Sequence, residues 1–154
     1  MRLAKGFGIG IILLQLSGLI LFGLSFHTLF SVTSAALTSD AFRYASSDDD
    51  STGEMTVKVE GELRNYAFLA ADIHLEAEIL NVEGEYVASN STSVHLGAGE
   101  RQPLTLTLLI PEEEAERWRA GEDKGSLKFT FSIRTLADLV GFSSTSLIPM
   151  EGGE

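Results

Sequence analysis

Between Lys5 and Asp40 the chain runs for 34 consecutive residues without an ionised side chain, apart from any charge on His27. A hydrocarbon core of about 30 Å is crossed by roughly 20 helical residues, so this segment is long enough to span a bilayer. A cleaved signal peptide has an apolar region of only about 7 to 15 residues. We therefore predict a retained transmembrane signal-anchor helix over residues 1–37, with lipid as its partner from Gly6 to Phe30.

The charges that flank the apolar segment predict its orientation. Arg2 and Lys5 precede the segment and all 22 carboxylates follow it, so the positive-inside rule places the amino terminus in the cytoplasm. We expect a single-pass protein of the cell membrane, with its carboxy-terminal domain outside. The small residues from Thr33 to Ala36 would also suit a signal peptidase, so secretion after cleavage is the alternative.

The remainder of the chain is strongly acidic and contains no cysteine. Beyond Arg2 and Lys5, nine basic residues stand against 22 carboxylates, a formal charge of −13. Such a surface disfavours nucleic acid as a partner. Residues 38–54 are rich in Ser and Asp and have no hydrophobic periodicity, which predicts an acidic linker. Residues 55–154 are enough to bury one core, so we predict one extracytoplasmic domain there.

An apolar period of two predicts that this domain is built from half-buried strands. From Ala71 to Ile79, apolar residues alternate with Asp, His and Glu. Turn residues at Asn81–Glu85 and Gly97–Glu100 separate this strand from the next two. At least six such strands with short connections predict a mainly β protein with an immunoglobulin-like antiparallel β-sandwich.

Two further segments of the domain carry their own expectations. Pro111 to Ala120 has the proline, early glutamates and late arginines of one short helix, and Trp118 is expected to face the core. The apolar loop from Leu136 to Phe142 is expected to plug an open end of the sandwich, although it could also contact the bilayer or a partner.

Potential metal ligands alternate along one predicted strand. Asp72, His74 and Glu76 would project from one face, where a carboxylate, an imidazole and a second carboxylate can coordinate a divalent ion. The solvent face of an antiparallel sheet requires the same alternation of polar residues, and we favour this interpretation, with no metal or cofactor. Asn90-Ser91-Thr92 is an acceptor sequon, so Asn90 is a candidate for N-glycosylation.

Sequence motifs of enzymes are missing from the chain. It contains no nucleophile elbow, phosphate-binding glycine loop, HExxH or CxxC pattern, so we expect no enzymatic activity. A binding or structural role remains, with an unknown envelope protein as a partner. Gly6 and Gly10 have the small-xxx-small spacing that lets helices approach closely, so a homo-oligomer through the membrane helix is possible, although many glycines in membrane spans have no such role.

Three segments resemble a known family of stress proteins. LRNYAFLAADIHLEAEI is followed by EGEYVASNSTSVHLGAGE and then by SLKFTFSIRTLADLVGFSSTSLIPM. Their order over Met55 to Met150 is similar to the late embryogenesis abundant type 2 family, also called the water-stress and hypersensitive response domain. Asn65-Tyr66 stands where that family usually has Asn-Pro. The resemblance implies an immunoglobulin-like sandwich without an enzymatic site and a stress or envelope role.

The amino terminus resembles a second family. KGFGIGIILLQ after a short basic leader looks like the start of a type IV pilin or archaellin, in which a peptidase would cut after Gly6. That resemblance implies a filament subunit with an apolar helix in the filament core and a β-sandwich head. The glutamate that many bacterial pilins carry five residues into the mature chain is Ile11 here.

Overall fold

The computed structural model describes residues 2–36, 42–48, 53–120 and 125–150. This part of the chain forms two helices and seven strands. In chain order they are α1 Arg2–Ala36, β1 Phe42–Asp48, β2 Met55–Arg64, β3 Ala71–Leu80, β4 Tyr86–Leu96, β5 Arg101–Ile110, α2 Glu112–Arg119, β6 Ser126–Thr135 and β7 Val140–Pro149.

The strands form two antiparallel sheets that pack face to face. One sheet has the order β1-β2-β5 and the other has the order β4-β3-β6-β7. The chain passes from one sheet to the other after β2, after β4 and, by way of α2, after β5. This arrangement confirms the predicted fold: a mainly β, immunoglobulin-like antiparallel sandwich with one short helix, preceded by a long apolar helix.

Strand β3 lies at the centre of the core. Its apolar face, from Ala71 to Ile79, is at most 1% exposed, and its polar face points outward. Ile73 pairs with Ile133 of β6 on one side and with Val94 of β4 on the other. A slip of one residue would bury the carboxylates of β3, so the sequence alternation fixes the register.

The last third of α1 packs against the sandwich. Val32 is fully buried and Ala36 is 7% exposed, and both belong to the same apolar core as the sheets. This end of the helix lies between Phe42 of β1 and Phe142 of β7, where a gap of about 30 Å³ remains. The helix therefore covers the side of the sandwich at which the edge strands β1 and β7 would otherwise leave the core open.

The predicted linker over residues 38–54 is wrong for residues 42–48, because these form β1. Tyr44 pairs with Val59 of β2, and the pairing continues to Asp48 and Met55. β1 is an edge strand, so its polar side chains remain in water and the apolar alternation that marks a buried strand is lost. The rest of that linker lies outside the described residues, apart from residues 53–54.

The prediction that residues 136–142 plug the sandwich is also wrong. Leu136, Ala137 and Asp138 all have positive φ, at 53°, 49° and 68°, and they form the tight turn between β6 and β7. Leu139 is 83% exposed. The turn places these apolar side chains on the surface because β6 and β7 pair up to Thr135 and Val140, which leaves four residues to reverse the chain.

The short helix α2 covers the opposite end of the core, as expected. Ala115 is fully buried and Trp118 packs against the core, while Pro111 serves as the N-cap residue. The start of β6 lies close beneath the tryptophan. A Cβ atom on Gly125 would stand 2.3 Å from the Leu80 carbonyl oxygen, so only glycine fits at this position.

Candidate functional sites on the helix and the sheet

The first candidate site is the free part of α1. Among the described residues, one helix is long and apolar enough to cross a membrane, over Gly10–Ser34 with a mean hydropathy of 1.8. Its apolar side chains are exposed along most of this length, from Ile11 at 42% to Leu14 at 75%. A helix with apolar residues on all sides needs an apolar surrounding, which the sandwich provides at one end only.

Where α1 reaches the sandwich, its polarity is inverted relative to a helix in water. Ser25 and Thr28 are fully buried, and their hydroxyls donate to the carbonyl oxygens of Leu21 and Leu24 in the helix itself. The nearby Phe26 and Phe30 are 64% and 68% exposed. Small polar residues thus face the protein and large aromatic residues face outward, which is the arrangement of a helix surrounded by lipid or by other apolar helices.

Three loops gather at the end of the sandwich where α1 enters, which we call the proximal end: residues 65–70, 97–100 and 136–139. Asn65, 1% exposed, joins the first two, because its Nδ2 donates to the carbonyl oxygens of Leu96 and Gly97 at 3.2 and 3.0 Å. The Thr135 hydroxyl ties the third loop to the first through the Ala70 carbonyl oxygen at 2.9 Å.

The proximal end exposes a set of large side chains. Tyr66 is 60% exposed and Phe68 is 75% exposed. The Phe68 ring lies beside His27 of α1, with ring centroids 6.3 Å apart. Arg64 donates to the Tyr66 hydroxyl at 3.1 Å, and this bond together with the ion pair to Glu62 raises the pKa of Arg64 above its ordinary value. The loop of residues 65–70, which carries both aromatic side chains, therefore lies at the same height as the point where α1 leaves the sandwich.

The outer face of the larger sheet carries the residues considered as metal ligands. The Asp72 carboxylate lies 2.7 Å from Nδ1 of His95 on β4, and Nδ1 of His74 lies 3.0 Å from the Ser93 hydroxyl. They line a shallow open depression of about 540 Å³. In the described part of the chain, no three His, Cys, Asp or Glu residues converge on a point that could hold a metal ion.

The neighbouring carboxylates on β3 belong to the same solvent-facing surface. Glu78 pairs with Lys128 of β6, and this hydrogen bond and charge raise the pKa of Lys128 above its ordinary value. Glu76 lies on the same face of the strand, opposite Ser91 and Thr130 in the register. The face thus offers cross-strand pairs, the usual stabilising contacts of an exposed sheet surface.

The candidate glycosylation residue Asn90 lies on the edge strand β4. It is exposed, and its Nδ2 donates to the Thr107 carbonyl oxygen of β5 at 2.7 Å. This bond connects the two sheets along the side opposite α1. The nitrogen that would carry a glycan therefore already serves a structural contact.

Sequence reasoning missed the Asn65 network and the contact of α1 with the sandwich. The signal for the first was a lone asparagine between an apolar strand and an aromatic loop, which resembles any turn residue. The signal for the second was the spacing of Ser25 and Thr28 at i and i+3, which places both on one helix face. His95 as the partner of Asp72 follows only from the register of β3 with β4.

The fold and these sites define an immunoglobulin-like β-sandwich that follows a long apolar helix. No protein-family model matches the chain, and no curated protein matches it. Similar solved structures include a β-glucuronidase from glycoside hydrolase family 2, at 17% identity over 71% of this chain and 11% of that chain, with a TM-score of 0.47.

Two other solved structures are similar in the same way. The Bacteroides uniformis β-glucuronidase matches at 15% identity over 73% of this chain and 13% of that chain, with a TM-score of 0.49. A structural-genomics target matches at 9% identity over 73% of this chain and 88% of that chain, with a TM-score of 0.44. The chain spans little more than a tenth of the glucuronidases, and similarity at this level says nothing about activity.

Proposed function

We propose that this protein is a single-pass membrane protein that holds an extracytoplasmic β-sandwich of binding or structural type at the cell surface, without catalytic activity. Its amino terminus lies in the cytoplasm, in accordance with Arg2 and Lys5 before the apolar segment. The bilayer is its first partner, and an envelope protein is the second. The resemblance to the late embryogenesis abundant type 2 family adds a stress-related role to the same architecture.

One observation carries this proposal: the inverted polarity of α1 beside the sandwich. A soluble helix would bury Phe26 and Phe30 and would expose Ser25 and Thr28, since burying a phenylalanine side chain contributes about 1.5–3 kcal/mol. Here the serine and threonine face the protein and the phenylalanines face outward. The arrangement is stable when the surroundings of the helix are as apolar as its surface.

Fractionation of cells tests the anchor. The full-length chain is expected in the membrane fraction, resistant to a carbonate wash and released by detergent. In a Leu16→Lys, Ile20→Lys double variant, each central charge costs about 2.5–3.5 kcal/mol of insertion, so the protein should shift to the aqueous fraction. Leu16→Ala with Ile20→Ala is the matched control and should remain in the membrane. An untruncated wild-type chain in the aqueous fraction would contradict the proposal.

A filament subunit of the type IV pilin or archaellin kind is the second candidate function. The continuity of α1 favours it, because a single helix of 35 residues runs from the apolar segment into the sandwich without a break. The intact mass of the protein from native membranes separates the candidates. Loss of residues 1–6 supports the filament subunit, and a chain that keeps them supports the anchor.

A further inference from the structure

We infer that the proximal end of the sandwich is seated in the headgroup region of the outer leaflet, with Tyr66, Phe68 and Leu139 in contact with lipid. The domain then rests on the bilayer instead of being suspended above it. The inference rests on the proposed membrane anchoring and adds a second, peripheral lipid contact made by the sandwich itself.

The length of α1 sets the height of the sandwich above the membrane. The helix rises about 33 Å over the 22 residues from Lys5 to His27, at about 1.5 Å per residue. The hydrocarbon core is about 30 Å thick. With the charged Lys5 at its cytoplasmic surface, His27 therefore lies at the level of the outer headgroups. Phe68 lies beside His27, and the helix continues without a linker into the core at Val32. In the described part of the chain, α1 itself packs on the sandwich, so no flexible segment separates the domain from the membrane helix.

The side chains at this height are those of a membrane interface. Tyr66, Phe68 and Leu139 are 60%, 75% and 83% exposed, and they come from two loops that Thr135 and Ala70 tie together. Aromatic residues with one polar end are enriched at the level of the headgroups. Arg64 donates to the Tyr66 hydroxyl and thereby orients the Tyr66 ring. Apolar groups exposed to this degree normally mark a contact surface.

The charges of the domain are distributed in accordance with this placement. The described carboxylates at the proximal end all have partners: Arg64 for Glu62, His95 for Asp72, the Gly97 amide for Glu100 and Arg134 for Asp138. The other end carries the acidic clusters, in the turn between β3 and β4 and in the first turns of α2. The strongly negative surface therefore points away from the lipid, and the nearly neutral end points towards it.

The absence of cysteine from the sequence permits a direct test with single spin labels. The full chain carrying Phe68→Cys or Leu139→Cys is labelled and placed in phosphatidylcholine–phosphatidylglycerol vesicles. Collisions with oxygen, which enters lipid, and with a water-soluble nickel chelate then report the depth of each label. Leu16→Cys in the free helix is the reference inside the membrane. Val82→Cys, 65% exposed at the opposite end, is the matched apolar reference in water.

Spin labels at positions 68 and 139 are expected to collide less with the nickel chelate and more with oxygen than the label at position 82. Their depth in the membrane should be smaller than that of the label at position 16. If the label at position 68 is as accessible to the chelate as the label at position 82, while the label at position 16 is shielded, the membrane anchor stands and the contact of the proximal end with lipid is overturned. If 16 is accessible to the chelate, the proposed function fails and the seating fails with it. Dipolar broadening at 68 that grows with the protein-to-lipid ratio would assign the contact to a second copy and would also overturn the inference.

Discussion

Replacing Asn65 by alanine should be among the most destabilising single changes that can be made outside the apolar core. Its Nδ2 donates to the carbonyl oxygens of Leu69, Leu96 and Gly97, and its Oδ1 accepts from the Ala67 amide at 3.0 Å. An amide group has two N–H bonds, so the three carbonyl contacts amount to about two full donated bonds. With the accepted bond, three hydrogen bonds depend on one side chain that is 1% exposed.

The magnitude follows from these bonds. Each contributes about 1 kcal/mol net, and the buried groups left without a partner add to the loss, so Asn65→Ala should lower the free energy of unfolding by about 3 kcal/mol. Asn65→Asp keeps the shape and the Ala67 bond but turns a carboxylate oxygen towards carbonyl oxygens. Because those oxygens disfavour the charged form, the folded-state pKa of the new carboxyl is raised. Its destabilisation should therefore grow as the pH rises above the unfolded pKa of about 4 and shrink below it.

Equilibrium denaturation of the full chain in detergent, followed by the fluorescence of the single tryptophan, measures both effects. Asn81→Ala is the matched control. Asn81 is 8% exposed, and its Oδ1 accepts from the Glu83 and Glu85 amides in a tight turn, so the loss of these two bonds should cost about 2 kcal/mol. If Asn65→Ala costs no more than Asn81→Ala, the three loops of the proximal end are not held together by this asparagine.

Three further changes test the packing and the surface charges by the same denaturation assay. Val32→Ala removes buried helix surface and should cost about 2 kcal/mol, whereas Phe30→Ala, on the exposed side, should cost almost nothing in detergent; equal costs would contradict the contact of α1 with the sandwich. Gly125→Ala should cost about 1–3 kcal/mol because its methyl group would meet a β3 carbonyl oxygen at 2.3 Å, and an unchanged stability would show that the strands can separate there. The pKa of Lys128 is raised by Glu78, so their pair stabilises the fold below about pH 10 and loses this contribution as the pH rises through the raised value. The difference in unfolding free energy between wild type and Lys128→Gln should accordingly shrink above pH 10, and a constant difference would contradict the pairing.

The sandwich could be predicted from the sequence wherever turn residues or a strict apolar alternation mark a strand. The alternation from Ala71 to Ile79 determines which face of β3 is buried, and the predicted turns at Asn81–Glu85 and Gly97–Glu100 lie on either side of β4, Tyr86–Leu96. The same reasoning failed for β1, because this edge strand is mostly exposed and its residues carry no strict period. The prediction for the turn at residues 136–139 failed for another reason. Its three successive positive φ angles arise from the strand pairing on either side, and no residue type in the sequence marks them.

The candidate sites were less predictable than the fold. A strand of alternating Asp, His and Glu gives the same sequence whether it binds a metal or faces water, and only the cross-strand partners His95 and Ser93 show where these side chains are engaged. The proposed position of the bilayer relative to the domain also required three-dimensional information. It depends on a ring contact between residues 27 and 68, which lie in different elements.

The unbroken passage of α1 into the sandwich has a mechanical consequence. A domain on a flexible tether samples many orientations, but in the proposed membrane-anchored protein the orientation of α1 would fix the direction of every strand of the sandwich. Neighbouring copies whose helices meet along a common seam would present their acidic ends in parallel, as a regular array facing the surroundings. In the same proposal, a force on the acidic end would pass through the sandwich and α1 to the membrane without a flexible segment to absorb it.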